Sequence, residues 1–61
     1  MVEYRTAVGD RIFEVNKDKN VALERLPLIS SLFKDIPVRL VYKNWNDVKG
    51  CPVYMNGEKI N

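Results

Sequence analysis

A change of hydrophobic period on either side of a short polar stretch leaves this chain few architectures. From Val2 to Val8 the residues alternate, with Val2, Tyr4, Thr6 and Val8 on one face and Glu3, Arg5 and Ala7 on the other. A period of two is that of a strand. Gly9-Asp10 follows, then the β-prone run Arg11-Ile12-Phe13-Glu14-Val15. Two such runs separated by a Gly-X pair predict a hairpin whose glycine supplies a positive φ. Residues 16–20 form a polar connector with several helix-capping side chains. Beyond it the period is helical: Ala22, Leu26, Ile29, Leu32, Phe33 and Ile36 fall on one stripe, and Glu24, Ser31, Lys34 and Asp35 face away. Leu23 and Leu28 lie outside that stripe.

Two prolines bound the helix. Pro27 in a helix interior would remove a backbone bond at a cost of about 3 kcal/mol. A helix starting near Asn20 would therefore be kinked there. The reading preferred on propensity is a helix over Leu26–Asp35, with proline in the first turn, where its missing N–H costs nothing. Pro37 closes it, because a residue before proline is driven out of the α region. Val38-Arg39-Leu40-Val41-Tyr42-Lys43 is the most β-like segment, with Val38, Leu40 and Tyr42 on one face, and predicts a central strand. Asn44 to Gly50 reads as a polar loop around Trp45, with room for one helical turn. Cys51–Met55, Asn56-Gly57 and Glu58–Ile60 read as a terminal hairpin, since Asn-Gly suits a type I′ turn.

The expected fold is α+β: one domain over residues 1–61, a mostly antiparallel sheet packed on one helix in the order ββαβ(ββ). That order admits a β-grasp arrangement. The segment Tyr54-Met55-Asn56-Gly57-Glu58-Lys59-Ile60 resembles the "NGE" hairpin of sulfur-carrier proteins of the ubiquitin-like superfamily. Those carriers end in a reactive diglycine, whereas Lys59-Ile60-Asn61 stands here. The resemblance therefore implies a shape and not carrier chemistry.

At 61 residues the chain has room for one core, and a domain of this size buries only about 60% of its unfolded surface. Its 46% apolar content and net charge of +2 predict a folded chain. The same mild charge argues against a dense nucleic-acid-binding face. The single cysteine, Cys51, permits no internal disulfide, and the N-terminal residues carry no apolar signal segment, so a cytoplasmic setting is expected. No apolar run has the length of a membrane span.

Chemistry is scarce. There is no histidine, the commonest general base near neutral pH and the commonest metal ligand. Cys51 therefore lacks an obvious base, and the usual zinc sets cannot form. Asn16, Asp18, Asn20 and Glu24 are spaced like the start of a calcium loop, but Val21 and Pro27 stand where its glycine and bidentate glutamate belong. Neither a paired-carboxylate cleft nor a glycine-rich phosphate loop is discernible. The expectation is no enzyme, no cofactor and no metal site.

What remains is surface. Tyr42, Lys43, Trp45 and Tyr54 can be read as the cover of one end of a small core, as a protein-binding hot spot, or as a base-stacking set. By elimination the expected function is a small intracellular protein-binding module, an adaptor or inhibitor that occludes a partner's surface. Free-standing chains of this length are common among phage and mobile-element accessory proteins. The expected contact residues are Trp45, Tyr42, Tyr54 and Arg39, with Leu28 as an outlying apolar anchor. The alternatives are nucleic-acid binding, with Arg39 and Lys43 on phosphates and Tyr42 or Trp45 stacking, and a homo-oligomer joined by a sheet edge near Val53.

Overall fold

The computed structural model describes residues 2–61. Its strands are β1 (Tyr4–Val8), β2 (Arg11–Asn16), β3 (Val38–Tyr42), β4 (Asn46–Asp47), β5 (Tyr54–Met55) and β6 (Glu58–Lys59), and its helix is α1 (Lys19–Leu32). The strands form one sheet in the order β2-β1-β3-β5-β6, with β4 also on β3, and every ladder is antiparallel. This is the expected α+β architecture, with β3 central. Because β2 and β3 both run opposite to β1, they point the same way, and the chain must return the length of the sheet between them. The helix makes that return across one face.

The two turns read from glycine form as expected. Gly9 has φ +61°, and Asn56-Gly57 takes φ +58° and +80°. The helix differs from expectation. It begins at Lys19 and runs through Pro27, instead of starting at Leu26. Asp18 caps it, its carboxylate accepting from the backbone N–H groups of Asn20 and Val21 at 2.8 and 3.4 Å. Burial of Ala22, Leu26, Ile29 and Ser30 from both halves of the helix outweighs the local penalty at Pro27. The Ser31 hydroxyl donates to the Pro27 carbonyl at 2.9 Å.

The helix also ends early, capped at Phe33, whose N–H reaches the carbonyls of Ile29 and Ser30. Ile36 is thereby off the helical stripe. Leu32 was expected inside and is 70% exposed. It sits about 110° round the axis from the centre of the buried arc, on a flank shared with Val21 and Leu28. The predicted loop after Tyr42 is also different: it is a hairpin, with Asn46–Asp47 returning along β3 and no helical turn. The chain then detours through Gly50 and Cys51, and Tyr54 rejoins the same flank of β3 opposite Val38.

The two faces of the sheet differ. On the helix side Val38 and Leu40 meet Ala22, Leu26 and Ile29, with Tyr4, Val8 and Tyr54 packed around them. On the other side no element of the described residues covers the sheet, yet Ala7 and Val41 are fully buried. Register explains this. Ala7 lies between Ile12 and Arg39 in one row, and Val41 lies between Arg5 and Asp47 in the next. Register sets Arg5 beside Val41 and Arg39 beside Ala7, where a long stem can cover apolar surface, and their guanidinium groups pair with Glu3 and Asp47, each at 3.0 Å. The terminal hairpin is fastened to the helix by the Gly57 N–H, which donates to the buried Ser30 hydroxyl at 3.2 Å.

Candidate interaction surface

The β3–β4 hairpin carries the most unusual backbone in the molecule. Tyr42 pairs with Asn46, which leaves Lys43, Asn44 and Trp45 as a three-residue loop. Such a loop closes with one residue in the left-handed region, a position suited to glycine. Trp45 occupies it with φ +67°, and Lys43 has φ +40°. A bulky residue there is strained, so the loop keeps Trp45 at a conformational cost. Trp45 is 44% exposed. At the base of the loop, the ring of Tyr42 meets that of Tyr4 edge-on, with centroids 5.9 Å apart. That contact orients an aromatic side chain that is itself 39% exposed.

The expected contact residues do not form one patch. Tyr42, Lys43 and Trp45 share the hairpin. Arg39 lies on the opposite sheet face from Tyr42, because they are three positions apart along a strand, and its guanidinium is engaged by Asp47. Tyr54 is half-buried against the core. Leu28 stands outward on α1 at 62% exposure. Tyr54 belongs to packing, Arg39 covers the floor of the open face, and Leu28 belongs to a separate apolar flank with Val21 and Leu32.

No protein-family model, curated protein or solved structure matches the chain.

Other chemistry-bearing residues have local uses. Cys51 is half-buried, and burial pushes its thiol pKa up, opposite to what a reactive thiolate requires. Lys19 favours the thiolate and Asp47 opposes it, both less strongly than burial. Asp18 spends its carboxylate on the helix cap, and Asn16 donates to Glu14 at 3.0 Å. Among the described residues no group of three or more Cys, Asp or Glu side chains is placed to hold a metal ion. No helix among the described residues is long and apolar enough to cross a membrane.

Sequence reading missed a second surface. Between Ala7 and Thr6 the β1–β2 register shifts, and Phe13 is the extra residue of a bulge. Its ring meets that of Phe33 edge-on at 5.1 Å. Val8, Arg11, Ile12, Phe13, Phe33 and Ile36 enclose a mostly apolar groove of about 250 Å³ beside the β2 edge. Phe13 and Phe33 were visible as apolar residues, but their meeting depends on a bulge that no local pattern announces.

Proposed function

We propose that this protein is a small protein-binding module, an adaptor or inhibitor that works by occluding a partner's surface. Its contact patch is the tip of the β3–β4 hairpin. The observation that carries this reading is Trp45, held half-exposed on a left-handed backbone beside the oriented ring of Tyr42. Tryptophan and tyrosine on a fixed scaffold lose little entropy when a partner covers them, and they dominate interface hot spots. Lys43 supplies one cation at the rim. A cytoplasmic setting goes with this reading, since the fold stands without a disulfide.

The test compares the wild type with Trp45→Ala in capture from cell lysate and in anisotropy titrations of single- and double-stranded oligonucleotides, at low and high salt. A protein retained at high salt by the wild type and lost with Trp45→Ala supports the proposal. Identical capture by both proteins would overturn it. So would oligonucleotide binding that falls steeply with salt and is weakened by Lys43→Ala and Trp45→Ala, because counterion release marks a phosphate contact.

A further inference from the structure

The two edges of the sheet are unequal. β6, at one edge, has two residues, whereas β2, at the other, has six and pairs only with β1. Its outer margin carries Phe13 and Val15, 44% and 48% exposed. Edge strands are commonly blunted by proline, lysine or a bulge. β2 has only the bulge, and that bulge has two local effects. It takes Phe13 out of the ladder and leaves it lining the groove, its ring against that of Phe33. It also brings Arg11 and Glu14 onto one face, since Arg11 aligns with Val8 and Glu14 with Thr6. Three residues apart on a regular strand, they would face opposite sides.

The edge thus holds a knob and a hole, and a cation and an anion, in one short strand. A surface with those pairs is complementary to itself across a two-fold axis. We propose that β2 is the interface of a homodimer. Two copies meet edge to edge and antiparallel, with Arg11 of each facing Glu14 of the other and Phe13 of each at the other's groove. In this register both charges fall on the helix side of the joined sheets, where Glu14 already holds Arg25. The groove suits a side chain better than a free ligand, being smaller than the roughly 300–1,000 Å³ of small-molecule sites. The contact is distinct from the Trp45 hairpin, so neither proposal depends on the other.

Sedimentation equilibrium from roughly 10 μM to 1 mM, the range in which a small interface associates, tests it. The expected result is a mass rising from 7.1 kDa toward twice that value. Phe13→Asp and Val15→Asp, the latter facing Asp10 of the other copy, should each raise the dissociation constant by about tenfold or more. Val15 is on the open face, away from the Phe33 contact, so its variant separates loss of the interface from loss of fold. Trp45→Ala should leave the association unchanged. A wild type that stays at 7.1 kDa throughout overturns the proposal. So does a dimer that survives both β2 variants and is broken by Leu28→Asp with Leu32→Asp, which would place the contact on the helix flank.

Discussion

Trp45 joins two demands that compete at a single residue. Its position in the loop calls for a residue at ease with positive φ, and its side chain is the largest in the chain. A left-handed backbone costs an L-residue roughly 1–2 kcal/mol, whereas glycine bears no such penalty. If the indole is kept for a partner, Trp45→Gly should leave stability unchanged or raise it by up to about 1 kcal/mol, read from the urea midpoint. A loss of more than about 2 kcal/mol would instead make Trp45 a packing residue, since that is the cost of removing a buried apolar side chain. Sequence could place Trp45 in a polar loop. It could not supply the φ, because the loop length follows from which residues pair across β3 and β4.

At the level of elements, the helix shows where local propensity loses. Pro27 withdraws a backbone donor, and the Leu26–Asp35 reading followed from that fact alone. The observed helix keeps the proline because eight residues precede it from Lys19 and are anchored by the Asp18 cap and by Ala22 and Leu26 in the core. The penalty remains as stored instability. Pro27→Ala should therefore raise stability by about 1–2 kcal/mol, read from the urea midpoint, once the looser unfolded chain offsets part of the helix gain. An unchanged midpoint would show that packing of the proline ring offsets the missing bond. The β1–β2 and β5–β6 hairpins were legible because Gly9 and Asn56-Gly57 set their geometry within a few residues. The β3–β4 hairpin was not, for Lys43-Asn44-Trp45 contains no glycine to announce a turn.

Across the whole molecule, a small two-layer fold has little to hold its layers together besides one core cluster and a few polar ties. The Glu14–Arg25 pair is one tie, joining the β2 edge to the helix through guanidinium contacts of 3.0 Å to both carboxylate oxygens. Its hydrogen bond with Arg25, helped by Asn16 and opposed by burial, holds the Glu14 carboxyl below the usual carboxylate range, and raises the Arg25 pKa in turn. A carboxyl whose pKa is lowered by folding binds fewer protons folded than unfolded. Its contribution is present above the unfolded value and is lost as pH falls through the folded one. Wild type should therefore exceed Glu14→Gln in stability at about pH 7, and the gap should narrow at about pH 3. Urea titrations of both proteins at the two pH values check it, and a gap independent of pH would show that the charge is not what binds the layers.

The residue pattern by itself determined the α+β class, the two glycine turns, the central place of β3 and the lack of any histidine, because each rests on periodicity, turn chemistry or composition. Only the tertiary structure decided that the helix survives Pro27, that Leu32 is exposed, that Arg39 and Tyr42 part to opposite faces, and that Phe13 meets Phe33 beside an open edge. Those outcomes depend on which surfaces are brought together over long sequence separations, where burial and register outweigh the preferences of any short segment.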